Sequence, residues 1–241
     1  MNILFYTILF VIGLVIGSFW ADQAIKLPKS LDMRKTHYSR YKHDVAISEL
    51  TYILLGGITS VILANILGIH IGEIDVIKII IYIFSMLYIT ALVLMGGIDR
   101  VYTKIEKRVL AFGIVASIMY MIYLVTIDLA SLHLSAIYLF IYIVLLTIDT
   151  FLLRRYAKDS YIVNILMLLT IILAFTDLRV LTYTIIMAFV AIILDILMQQ
   201  SQKNKNGNKK FKMNEISVGY FISASNMIVL FMIRVLENYY I

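Results

Sequence analysis

An all-α fold, polytopic in the membrane and with about eight transmembrane helices, is what this sequence predicts, and three observations predict it. The chain has 241 residues, 62% of them hydrophobic and only 15% charged. Its mean hydropathy of +0.93 lies well above that of soluble domains. The apolar residues come in continuous runs of about 16 to 23, which matches the roughly 20 residues a helix needs to cross about 30 Å of hydrocarbon. The two-residue alternation of an outer-membrane strand is absent. Finally, Lys and Arg collect in every second loop, the pattern that orients helices in a bilayer.

The runs place spans at 3–20, 46–68, 76–98, 109–127, 134–153, 161–176, 178–198 and 216–236, within one membrane domain covering 1–241. The first has no basic segment before it and positive charge after it, so it reads as an uncleaved helix rather than a secretory signal. Gly13 and Gly17 within it have the spacing that lets two helix backbones approach closely. A first cytoplasmic loop, 21–45, holds the only proline, Pro28. Its basic residues, with Tyr38 and Tyr41, suit a segment lying partly on the membrane surface. The third span closes on Gly96-Gly97-Ile98-Asp99-Arg100, Asp149 sits about a turn inside the fifth, and Asp159 opens the sixth. Residues 199–215 are rich in Lys, Asn and Gln and read as a flexible cytoplasmic loop near anionic headgroups. Of the 21 basic residues, all but Lys78, Arg179 and Arg234 fall in the loops after spans one, three, five and seven. Those loops are therefore cytoplasmic and both termini lie outside.

Composition also removes whole classes of chemistry. With no cysteine there are no disulfides, thiolate zinc sites or cysteine nucleophiles. The histidines, at 37, 43, 70 and 133, have no metal-ligand spacing. Neither phosphate-loop glycine motif is present. The net charge of +6 sits in short loops between spans, so it orients the protein rather than binding nucleic acid.

The carboxylates are what remain. An acid at a helix centre costs about 2.5 to 3.5 kcal/mol to insert, so each needs a reason. Asp75, Asp128 and Asp177 fall in outer loops and read as solvated turn residues or helix caps. Asp22, Glu49, Asp99, Asp149, Asp159 and Asp195 lie on the cytoplasmic half. Asp99 ends the third span and Asp159 opens the sixth, and the two helices between them go out and back. The two acids can therefore meet at one face. Such a pair shares a proton, as acid-base hydrolysis of an amide requires. Boundary acids paired with Arg100, Lys104 or Lys158 are the plainer alternative. Asp149 is a rival second acid, with Arg154 and Arg155 near enough to neutralise it.

These residues resemble the type IV prepilin peptidase family, membrane aspartic proteases of the GxGD class. The likeness begins at Gly13-Leu14-Val15-Ile16-Gly17-Ser18-Phe19 and runs on to Pro28, with Ala21 and Lys26 in place of the family's asparagine and arginine. Glu49 in Ser48-Glu49-Leu50 matches the glutamate of the second span, so Gly17, Ser18, Phe19 and Glu49 are supporting residues by resemblance. Ile98-Asp99, followed by Ile105-Glu106 and Val109-Leu110, is similar to the first catalytic motif. Ile216-Ser217-Val218-Gly219-Tyr220-Phe221-Ile222 echoes the family's I-P-F-G-P-F-L. For the second motif, G-x-G-D-x-K, Ala174-Phe175-Thr176-Asp177-Leu178-Arg179 matches better by letter, yet Asp177 faces outside. Tyr156-Ala157-Lys158-Asp159-Ser160-Tyr161 has the right sidedness, with Tyr156 and Lys158 at the glycine positions.

The resemblance implies an aspartic endopeptidase of a prokaryotic cytoplasmic membrane. It would remove leader peptides from prepilin or pseudopilin precursors at the cytoplasmic face, with Asp99 and Asp159 as the catalytic pair. The short first loop without cysteine implies no zinc and argues against methyl transfer from S-adenosylmethionine. The departures at the glycine, proline and asparagine positions favour the alternative of a catalytically degenerate membrane scaffold or assembly factor. For a third class, a small transporter, Asp149 alone is thin support.

Overall fold

The computed structural model describes residues 2–27, 42–69, 75–102, 104–153, 161–205 and 216–240, and every regular element among them is helical. In chain order these are α1 (Asn2–Lys26), α2 (Lys42–Ile66), α3 (Val76–Tyr102), α4 (Lys107–Thr126), α5 (Leu132–Thr147) with a π-helical continuation Ile148–Leu153, α6 (Tyr161–Phe175), α7 (Leu178–Lys205) and α8 (Val218–Tyr240). Six of them, α1 to α5 and α7, contain segments long and apolar enough to cross a membrane. Two apolar segments are shorter, Tyr161–Phe175 and Val218–Ile233.

The helices overrun the apolar runs. α2 begins at Lys42 rather than 46, and α7 continues to Lys205 rather than stopping near 198. Helical hydrogen bonding is internal to the segment and does not end where the side chains turn polar. The run at 134–153 goes the other way, changing from α to π geometry after Thr147.

The chain divides into two compact units, Met1–Thr90 with Arg234–Ile241, and Ala91–Ile233; the divisions fall within α3 and within α8. In the first unit α1 and α2 pack backbone to backbone. A Cβ on Gly17 would lie 2.7 Å from Ile53 Cα, and one on Gly56 would lie 2.7 Å from Gly17 Cα. The Gly13/Gly17 spacing thus meets a second small pair, Gly56 and Gly57, on α2. Close approach lets the Ser60 hydroxyl reach Leu9 O at 2.8 Å and Tyr82 Oη at 2.6 Å. Fully buried Trp20 donates its indole N–H to Thr90 Oγ1 at 2.9 Å.

The second unit is built around α6, whose Met167, Leu168, Ile171 and Ile172 are buried together with Leu92, Met95 and Ile98 of α3. Gly113 lets α4 approach, since a Cβ there would sit 3.0 Å from Ile171 Cδ1. Tyr120 of α4 stacks on Phe175 at the end of α6, ring centroids 4.8 Å apart. Polar ties join neighbours: Ser117 Oγ to Tyr142 Oη at 2.8 Å between α4 and α5, and Asn226 Nδ2 to Thr184 Oγ1 at 3.0 Å between α8 and α7. Asp75, Asp128 and Asp177, expected in outer loops, stand at turns and helix starts. Asp177 Oδ1 accepts from Val180 N at 2.7 Å to cap α7, Asp75 Oδ1 accepts from Ile77 N at 2.9 Å at the start of α3, and Asp128 takes a φ of 55° in the α4–α5 turn.

Candidate functional site

Asp99 lies in the last turn of α3 and is completely buried. The C-terminal end of a helix is the unfavourable end for a carboxylate, so the fold must supply donors from elsewhere. Two elements do so. The Tyr161 hydroxyl, from the first residue of α6, lies 3.0 Å from Asp99 Oδ1 and 3.0 Å from Oδ2. From the first turn of α8, the Tyr220 N–H donates to Oδ2 at 3.0 Å, and the Gly219 N–H donates to the Tyr161 hydroxyl at 3.3 Å. These are N–H groups that a helix start leaves without intrahelical partners, and they point at the favourable place for a negative charge.

Local sequence explains why the backbone can come so near. A Cβ on Gly219 would meet Asp99 Oδ2 at 3.1 Å and Ile105 Cδ1 at 3.1 Å. Glycine is the residue that brings the α8 amides onto the carboxylate. Gly96 serves α8 in the same way one turn earlier, where a Cβ would stand 3.0 Å from Ser223 Cβ.

Of the cations expected beside Asp99, Lys158 lies outside the described residues. Among the described residues Asp99 has no salt bridge. Arg100 turns instead to Tyr220, donating to its Oη at 3.1 Å, with Cζ 4.8 Å from the ring centroid in cation–π range.

Asp159 lies outside the described residues, as do Arg154, Arg155 and Lys158. Asp149, in the π-helical turn, pairs with Lys107 Nζ at 2.7 Å, so its neutralising partner comes from the start of α4. The π geometry there is of a kind often found at functional positions. In the first unit, Gly17 is buried in the α1–α2 contact, while Ser18, Phe19 and Glu49 are exposed. Asp22 pairs with Lys26 one turn on, at 2.8 Å.

Tyr161 and Tyr220 carry contacts that sequence reasoning did not assign to them. Tyr161 stands at the lysine position of the G-x-G-D-x-K comparison, and Tyr220 at a proline position, where proline has no N–H to give. Glu106 was also missed as a buried acid: it is 4% exposed, its Oε2 has no hydrogen-bond partner among the described residues, and it occupies the place of another family proline. A polar residue where proline is expected was the available signal.

No protein-family model, curated protein or solved structure matches the chain.

Proposed function

We propose that this chain is a multi-pass aspartic endopeptidase of a prokaryotic cytoplasmic membrane, with eight spans, both termini outside and its active site facing the cytoplasm. Its substrates are type IV prepilins or pseudopilins, presenting a basic leader at that face and an apolar helix in the bilayer. Asp99 and Asp159 form the catalytic pair. Water attacks the scissile carbonyl carbon and gives its proton to one carboxylate. The other, protonated, hydrogen-bonds the carbonyl oxygen and then passes its proton to the leaving amine as the C–N bond breaks.

The observation carrying this reading is a convergence in space. Three stretches that resemble the family's motifs, 62 and 121 residues apart from the first, meet through hydrogen bonds of 3.0 to 3.3 Å. Nothing in a plain helical bundle requires Ile98-Asp99, the start of α6 and Gly219-Tyr220 to share one carboxylate. A second reading, the degenerate scaffold, is favoured by the 0% exposure of Asp99, because a carboxylate kept from water serves to hold a helix end.

The test is processing of a co-expressed prepilin by Asp99→Asn and Asp159→Asn variants, with membrane insertion monitored in parallel. Loss of processing in both, with insertion retained, is expected. Normal processing by both would overturn the peptidase reading.

A further inference from the structure

We infer that Tyr161 is a built-in plug of the Asp99 carboxylate, which a substrate must displace before Asp99 reaches water or a peptide bond. The inference rests on the reading of Asp99 as a catalytic acid. Its basis is geometric: the phenolic oxygen is equidistant from the two carboxylate oxygens, 3.0 Å from each, and it also accepts from the Gly219 N–H at 3.3 Å. One oxygen atom that donates to a carboxylate and accepts from a backbone amide occupies the place of a water molecule bridging the two. With the Tyr220 N–H on Oδ2 and Gly219 against the same atom, Asp99 has no exposed edge.

The blocking group is a side chain at the end of a helix. Tyr161 is the first residue of α6 and is half-buried. Its side chain can rotate away without breaking the α6 core at Met167, Leu168 and Ile171. Tyr220, by contrast, presents its backbone and is further held by Arg100 through ring and hydroxyl. Of the two donors on Asp99, the phenol is therefore the one that leaves. A phenol also lacks the charge of the lysine that the family comparison places here, so it covers the carboxylate without forming an ion pair.

Two readouts on the full-length protein in bilayers test the plug. The first is the cleavage rate of a type IV prepilin by wild type, Tyr161→Phe and Tyr161→Ala, with Asp99→Asn as the inactive baseline. The second is modification of Asp99 by a hydrophobic carbodiimide, followed by peptide mass, which requires no cleavage. Removing the hydroxyl is expected to raise both rates, by roughly tenfold for a lost hydrogen bond to a carboxylate. Faster modification with no cleavage by any form keeps the plug and overturns the peptidase reading. Unchanged or slower modification of Asp99 in both variants overturns the plug. If the same variants also cleave more slowly, Tyr161 is a positioning residue of an active enzyme.

Discussion

Gly219 is the residue at which the arrangement around Asp99 is most sensitive to one added carbon. Its Cβ would have to share space with Asp99 Oδ2 and Ile105 Cδ1, both 3.1 Å away. Ile105 can give by rotating, but the carboxylate is tied to Tyr220 N. Gly219→Ala is therefore expected to cost about 1 to 3 kcal/mol and to lower thermal stability in detergent. A melting temperature equal to wild type would show that the amides do not need this close approach. Asp99 itself was legible in the sequence, because an acid ending an apolar run is costly and stands out. Tyr161 was not: an aromatic opening an apolar helix is what any membrane boundary presents, and only the fold gives its hydroxyl a carboxylate. Nor was the Lys107–Asp149 pair legible, since Arg154 and Arg155 were nearer in sequence, and proximity in sequence says little about a charge on a π-helical turn.

Among the elements, α1 and α2 depend on glycine more than any other pair. Gly17→Leu or Gly56→Leu would place a branched side chain where backbone atoms already lie within 2.7 Å. The helices would have to separate, breaking the Ser60 to Leu9 hydrogen bond, at a cost of about 3 kcal/mol or more. Ser18→Leu, on the exposed face of the same helix, is the control and should leave thermal unfolding unchanged. Half of this contact could be read from the Gly13/Gly17 spacing. The facing pair on α2 could not, because a small residue declares closeness without naming its partner. Helix positions were largely visible as well, α4 and α6 beginning and ending within two residues of the apolar runs. Boundaries failed where polar residues continue a helix, as in α7, whereas the run at 134–153 ended where its helix ends and only the change of helix type after Thr147 was not legible.

For the whole molecule, orientation rests on the distribution of charge, and the lack of native cysteine makes it simple to test. Single Ser131→Cys and Gly207→Cys variants should differ in their reaction with a membrane-impermeant maleimide added to intact cells. The first is expected to label from outside and the second only after permeabilisation; the reverse would invert the proposed topology. An expected sidedness can be drawn from sequence because summed charge biases insertion, whereas the pairing of distant side chains depends on distances no composition contains. One dimension of the second unit bears on its lipid surroundings. α6 has 15 residues and rises about 22 Å, against about 30 Å of hydrocarbon. Its end at Phe175 is level with Tyr120, one to two turns short of the end of α4 at Thr126. In the proposed topology this is a hydrophobic mismatch: the α6–α7 turn at Thr176 and Asp177 lies below the outer headgroups, or the outer leaflet thins to meet it, with Arg179 extending toward the interface. Bilayer thickness thus becomes a variable acting on the same short helix that carries Tyr161 at its other end.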